Sequence, residues 1–244
     1  MKHLGFLRAI TPIAAALALA GCGSLIPESS ASAPSGASRT AQKPTYTRSA
    51  PRPLASTPQA IGNNPRDSKC LTDLSATGAR FSALPDAYSA PGCSTLGTVQ
   101  LASLAGDVSQ FGVSNLGPVQ CHVATEFTNW ARFGVDRAAR EILGSPLARI
   151  ETFGSYSCRN VAGTERRSAH ARAEAIDVSA FVLENGRRIS LKEDWDGGSA
   201  AEREFLRVVH SSACKRFGTV LGPEYNKAHE DHFHLEGTGP RFCR

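Results

Sequence analysis

The chain has 244 residues, of which 41% are hydrophobic and 20% are charged, so its composition supports a packed core. Beyond the N-terminal region it has no long apolar run, which excludes a protein with several membrane spans. The formal net charge of +5 fits either a solvated basic surface or attraction to an acidic polymer. The charge alone does not identify such a polymer.

The first residues predict where the protein is sent. Lys2 and Arg8 are followed by an apolar run over residues 10–20, which is too short to span a bilayer comfortably. The run ends in Leu-Ala-Gly-Cys22, which resembles a bacterial lipobox; a plain secretory signal is the alternative. The resemblance implies a signal peptide over 1–21, a lipid on Cys22 and, since Gly23 follows, a place on the periplasmic side of the outer membrane.

Residues 22–66 are rich in Ser, Ala, Pro, Thr and Arg and show no apolar periodicity. Such a segment buries too little surface to offset its ordering entropy, so we predict a disordered, lipid-anchored linker. The folded domain is then expected over 67–244.

Six cysteines remain after Cys22, an even number that suits an oxidising compartment and predicts three disulfides. Six cysteines allow 15 pairings, and we favour those between neighbours in sequence. The expected bonds are Cys70–Cys93, Cys121–Cys158 and Cys214–Cys243. A zinc–thiolate site is disfavoured because no pair has CxxC spacing.

The apolar patterns predict helices and strands that are mixed along the chain. Residues 119–142 have helical spacing interrupted at Gly134, and 200–217 form an amphipathic pattern that ends before Gly218. Strands are predicted at 148–158, 174–183 and 232–237, with a turn at Asn185-Gly186. We therefore expect an α+β fold with a small, mainly antiparallel sheet flanked by helices.

Three of the seven histidines, His229, His232 and His234, fall within six residues. Side chains alternate along a strand, so His232 and His234 should share one face while Phe233 points into the core. Imidazole is a common zinc ligand, although an HxH pattern also occurs by chance.

A second pattern joins His170 to Asp177, which lies in the apolar strand AIDVSAF. A buried carboxylate needs a partner because an uncompensated charge is costly. A metal ion is one such partner, and a hydrogen bond from the backbone or an arginine is the alternative.

Together, SxHxxxxAxD over 168–177 and HxH over 232–234 resemble the zinc D-Ala-D-Ala carboxypeptidases and related murein endopeptidases. Their superfamily includes hedgehog signalling domains. Residues 68–244 resemble the bacterial extensin-like C-terminal domain family, most strongly over 153–180 and 214–236. Relatives often carry glycine where this chain has Ala173.

The resemblance implies a hedgehog/DD-peptidase-like fold and a Zn²⁺ held by His170, Asp177 and His234. Two nitrogens and one oxygen leave a fourth position open for water, as catalytic zinc requires. Zinc then lowers the pKa of that water to about 7.

The resemblance also implies a base and an oxyanion stabiliser. Asp231 matches the acidic residue three positions before the last histidine, where the better-known dipeptidases have glutamate. His232 is the competing base or transition-state stabiliser, and the choice stays open here. Arg159 matches an arginine that stabilises the oxyanion, with a structural ion pair as the alternative. His229 and Glu230 are expected in an outer position or at the surface.

The function implied is zinc-dependent hydrolysis of peptide bonds in peptidoglycan, by a carboxypeptidase or an endopeptidase of the cell envelope. The alternative is a non-catalytic, zinc-containing module for wall binding or signalling. We expect peptidoglycan peptides as partners, membrane attachment through the lipid on Cys22, no nucleic-acid partner, and a monomer.

Overall fold

The structure, a computed structural model, describes residues 65–244. The predicted signal peptide (1–21), Cys22 and all but the last two residues of the predicted linker (22–66) lie outside the described residues. None of the helices in the described part is long and apolar enough to cross a membrane.

Helices and strands alternate irregularly through the described residues. The α-helices are α1 (Pro65–Ala76), α2 (Cys121–Trp130), α3 (Arg137–Leu143), α4 (Leu191–Gly197) and α5 (Ala200–Cys214). The strands are β1 (Arg80–Ala83), β2 (Tyr88–Ala90), β3 (Cys93–Ser94), β4 (Thr98–Ala105), β5 (Gln110–Ser114), β6 (Val119–Gln120), β7 (Leu147–Gly154), β8 (Ala175–Leu183), β9 (Arg188–Ser190), β10 (Thr219–Leu221), β11 (Phe233–Glu236) and β12 (Phe242–Cys243).

Ten of these strands form one sheet, with the order β1-β4-β5-β7-β8-β11-β10-β12, while β6 pairs with β4 and β9 with β8. Strand β5 runs parallel to β7, and β10 runs parallel to β12. The α+β class is confirmed, but the expected small sheet is wrong, because the sheet has ten strands and is mixed, with parallel pairings beside the antiparallel ones. Strands β1 to β6 were missed because most are too short to show a clear alternation of apolar and polar residues.

Strand β8 lies in the middle of the hydrophobic core. Its sequence is almost continuously apolar, and all but one of its residues are buried, as befits a strand with neighbours on both sides. The ring of Phe181 on β8 packs against Trp130 of α2 and Phe205 of α5 at centroid distances of 6.1 and 5.3 Å. The helices therefore seal one side of the strand that carries Asp177.

The predicted helical region at 119–142 is helical from Cys121 onward, as a continuous run in which a π-helix, Ala131–Asp136, joins α2 to α3, while its first two residues form β6. Gly134 lies in the π-helix, where a Cβ atom would collide with Ser212 Oγ of α5. Helix α5 begins at a capping box formed by Ser199 and Glu202 and ends at Cys214, three residues earlier than expected.

The other predicted elements are confirmed with shifted ends. Strand β7 stops at Gly154, where φ is 120°, so the expected strand to residue 158 is four residues too long. The turn at Asn185-Gly186 joins β8 to β9 as an antiparallel hairpin. Strand β11 starts at Phe233, which is fully buried as expected.

Three disulfides are present, but only Cys214–Cys243 matches the expected pairing. The expected Cys70–Cys93 and Cys121–Cys158 bonds are wrong, and the structure instead has the two bonds Cys70–Cys121 and Cys93–Cys158. Packing between distant parts of the chain sets the observed pairing. Helix α1 packs on α2, and β3 meets the loop after β7, so cysteines 51 and 65 residues apart become neighbours.

Candidate metal centre

The candidate site lies where β7, β8 and β11 meet. Strand β8 is paired with β11 so that Asp177 is opposite His234, and with β7 so that Asp177 is opposite Gly154. The register of the sheet thus joins the two sequence motifs and places Asp177 beside His234, which is 57 residues away in sequence.

His170 comes from a 3₁₀-helix, Ala169–Arg172, which begins when the Ser168 side chain accepts a hydrogen bond from the His170 amide. The turn ends at Ala173, whose φ of 55° lies in the left-handed region. Glycine adopts that conformation without strain. Alanine tolerates it at a small cost, so the turn still delivers His170 to β8.

The three side chains converge on one point. His170 Nε2 lies 3.1 Å from Asp177 Oδ2 and 3.1 Å from His234 Nδ1, while His234 Nδ1 lies 2.8 Å from Asp177 Oδ1. The exposed fractions are 3% for His170, 9% for Asp177 and 6% for His234. Three Lewis-basic atoms are therefore packed together away from water.

The outer nitrogen of each imidazole has its own partner. His170 Nδ1 donates to the Ser155 carbonyl oxygen at 3.0 Å, and His234 Nε2 donates to Glu236 Oε1 at 2.9 Å. Metal-binding histidines commonly donate their second N–H in this way, which fixes the tautomer. Both remaining nitrogens then point their lone pairs at the same place.

These residues fit a zinc ion. Zn–N distances of about 2.0–2.1 Å in a tetrahedral arrangement separate ligand atoms by about 3.3 Å, close to the distances found here. Facing lone pairs at 3.1 Å need a positive charge between them, either a proton or a metal ion. Two imidazoles and one carboxylate are a donor set that zinc prefers, with a fourth position left for water.

Electrostatics support the same interpretation. Burial by itself raises the pKa of Asp177, but hydrogen bonds from His170 and His234 hold it well below its usual range. Burial lowers the pKa of His234, yet its bonds to Asp177 and Glu236 outweigh burial and raise it to about 9. The Asp177 carboxylate thus stabilises a positive charge where the three side chains meet, and a proton on His234 is one source of that charge.

The two candidate bases lie beside this cluster. His232 precedes β11 rather than starting it, and its Nδ1 donates to Asp231 Oδ1 at 2.9 Å. His232 Nε2 lies 3.6 Å from Asp177 Oδ1, so it borders the metal centre without a direct hydrogen bond. Asp231 contacts His232, and no contact places Asp231 on the three ligands.

The remaining predicted residues surround the opening. The ring of His229 lies 5.2 Å from that of His232, and the Asn226 side chain accepts a bond from its Nδ1. Burial and the neighbouring histidines lower the pKa of His229 to about 4, with a smaller effect from the charge of Arg159. Arg159 is exposed near the site, whereas Glu230 pairs with Lys227 at the surface.

Sequence reasoning missed Glu236, Ser155 and Phe153. Glu236 follows His234 by two residues on β11, so strand alternation was a usable signal for it. Ser155 acts through its backbone carbonyl, which no sequence pattern reveals. Phe153 carries no catalytic atom, but the centroid of its ring lies 5.8 Å from that of the His232 ring, in an edge-to-face arrangement.

A second group of possible ligands, His210, Cys214 and Cys243, lies elsewhere. Its two sulfur atoms form a disulfide, so no thiolate is available for a metal. Among the described residues, His170, Asp177 and His234 are therefore the group whose ligand atoms remain available for a metal ion.

The fold and the site define a disulfide-stapled α+β domain with a buried histidine–aspartate cluster. The family described as extensin-like protein C-terminus matches residues 68–244, and the chain belongs to that family. No curated protein and no solved structure matches the chain. The relation to DD-peptidases and hedgehog domains stays a prediction.

Glu236→Gln is expected to weaken zinc binding by about 10–100-fold, the usual cost of losing an outer partner of a ligating histidine. A glutamine amide still accepts the bond from His234 Nε2 but no longer enhances its basicity. The measurement is zinc affinity by competition with a chromophoric chelator. Glu230→Gln, which removes an exposed carboxylate from a surface pair, is the matched control and should bind zinc like the wild type.

Chelator-treated protein should lose thermal stability as the pH rises from about 6.5 to 9. The folded-state pKa of His234, about 9, lies above the ordinary value of 6.5. Protonated His234 therefore contributes fully to the free energy of unfolding below pH 6.5, and this contribution is lost as the pH rises through about 9. The depressed pKa of Asp177 gives a contribution that is lost only in acid. Melting curves of wild type and His234→Ala test this, and an equal loss in both would contradict it.

Proposed function

We propose that this protein is a zinc-dependent peptidase that hydrolyses peptide bonds of peptidoglycan in the cell envelope. One observation carries the proposal. His170, Asp177 and His234 bring three buried donor atoms within 4.8 Å of one another, directly beside the Asp231–His232 pair. A zinc hydrolase needs a metal site and an adjacent base that can accept a proton from the attacking water.

In this proposal His170 Nε2, His234 Nδ1 and a carboxylate oxygen of Asp177 hold the metal. Bound there, zinc would supply a Lewis acid and a water of lowered pKa. Ser155 and Glu236 keep both imidazoles in the tautomer that leaves these nitrogens free.

His232 is the better candidate for the base. Because its Nδ1–H donates to Asp231, its Nε2 carries the lone pair and borders the metal centre. His232 would accept a proton from the attacking water through Nε2 and return it to the leaving amine. Asp231 would then orient the ring and stabilise its protonated form, as carboxylates do for catalytic histidines.

Arg159 is proposed to stabilise the oxyanion. Its guanidinium is exposed near His229, at the open side of the site, and its backbone is held in place by a bond from the Ser168 amide to its carbonyl oxygen. A positive charge there would favour the developing negative charge on the scissile carbonyl. The assignment to wall peptides rests on the motif resemblance and on the lipobox expected at Cys22.

The test is to incubate the zinc-loaded full chain with purified sacculi and to identify the released products by mass spectrometry. We expect new peptide fragments from the wild type and none from His234→Ala. Mass differences between products identify which bond is cut.

Stoichiometric zinc without released products under any condition would reject the peptidase and leave the alternative, a zinc-containing module for wall binding or signalling. Sedimentation of the protein with sacculi would then measure that binding. Absence of zinc in the wild type would reject both.

A further inference from the structure

Next to the metal centre lies a groove of about 330 Å³. Two short segments form it, the chain after β5 and the end of β7. It is lined by Asn115, Leu116, Gly117, Phe153, Gly154, Ser155 and Tyr156. This volume is at the small end of ligand sites and corresponds to a short piece of peptide.

Two residues of the groove contact the candidate site. Ser155 lines the groove, and its carbonyl oxygen accepts the bond from His170 Nδ1. Phe153 lines the groove, and its ring meets the edge of His232 at 5.8 Å. A molecule packed against Phe153 would therefore lie on the opposite side of this ring from His232, one side chain away from the proposed base.

Phe153 is the main apolar surface of this groove. Its exposed fraction is 55%, although its neighbour Thr152 on β7 is 4% exposed. A single exposed phenylalanine is ordinary, but this one forms a wall that ends at a chemical site. Displacing water from that ring by an apolar group is favourable.

The remaining walls are neutral, since none of the lining residues carries a charged side chain. Two of these residues, Gly117 and Gly154, lack a side chain, so their main-chain atoms can contribute to the walls. Such walls suit an extended main chain with one small or medium apolar side chain.

The walls are also held rigid. Tyr156 hydrogen-bonds through its hydroxyl to Ser89 of β2, and Cys158 is bonded to Cys93 of β3. The small β2–β3 sheet thus fixes the segment that follows β7. A preformed groove loses little conformational entropy on binding.

We propose that this groove is a substrate subsite that takes an uncharged, extended segment of the peptide beside the scissile bond, with an apolar side chain against Phe153. The inference rests on the proposed peptidase function. In this subsite Phe153 determines which substrate binds, and it takes no part in proton transfer.

The test compares the zinc-loaded full chain with Phe153→Ala and Phe153→Leu, using a purified monomeric muropeptide as substrate. We expect KM to rise about tenfold or more in Phe153→Ala with kcat changed less than threefold, which is the signature of lost ground-state binding. Phe153→Leu should restore most of the affinity. Phe133→Ala, another exposed phenylalanine, which lies on the π-helix between Arg132 and Arg137, is the control and should match the wild type.

A fall in kcat with unchanged KM would overturn the subsite, since Phe153 would then act only by positioning His232. Binding of the same muropeptide to His234→Ala, followed by NMR shifts, separates this proposal from the peptidase function. If that variant binds and the added Phe153→Ala change abolishes binding, the groove is supported even without hydrolysis. If neither the wild type nor His234→Ala binds the muropeptide, the groove proposal fails.

Discussion

His234→Ala is expected to remove zinc and peptide hydrolysis together. His234 supplies one of three donor atoms, and its loss leaves two ligands, too few for a stable zinc site. We expect zinc affinity to fall by more than about a hundredfold, the upper cost of losing an outer partner alone. Metal content after dialysis and release of fragments from sacculi measure the two effects.

The matched control is His122→Ala, which removes an exposed histidine outside the cluster. It should retain zinc and activity. Removing His234 also leaves Asp177 and Glu236 without their shared partner, so thermal melting is needed to show that the variant is folded. Full zinc retention by a folded His234→Ala protein would refute the ligand assignment.

His232→Ala should lower kcat by about 10²–10⁴-fold while the protein keeps its zinc. The side chain borders the metal centre at 3.6 Å from Asp177 but is not one of the three converging ligands, so its loss removes proton transfer and not the metal. Asp231→Asn should have a smaller effect, because it leaves His232 in place and alters only its orientation and basicity.

The relative size of the two effects decides the identity of the base. A larger loss of kcat in Asp231→Asn than in His232→Ala would make Asp231 the base. The pH profile adds an independent measure, because loss of the base should remove the acid limb of kcat/KM. Zinc content is measured on each variant so that metal loss is not mistaken for loss of the base.

The residues of the candidate metal centre were named from sequence because their signals are local, and the structure brings these three side chains together. His170 and Asp177 occur within one short motif, and His234 within another, and each residue type has a chemical reason to be there. The same holds for Phe233, whose burial follows from strand alternation. What local patterns did not contain was the distance between the motifs, which the pairing of His234 with Asp177 supplies.

The errors have a common physical cause. The expected Cys70–Cys93 and Cys121–Cys158 bonds assumed that proximity in sequence means proximity in space. Packing of α1 on α2 decides otherwise. The size of the sheet was underestimated because its short edge strands are stabilised by neighbours and not by their own pattern.

By itself, the sequence determined the α+β class, the buried strand that carries Asp177, and the histidine and aspartate side chains that converge there, because periodicity and residue chemistry are local properties. Only the tertiary structure decided the disulfide pairing, the role of the Ser155 carbonyl in fixing the His170 ring, and the position of His232 beside Asp177. Those features depend on the register between strands and on backbone atoms. Contacts between distant parts of the chain set both.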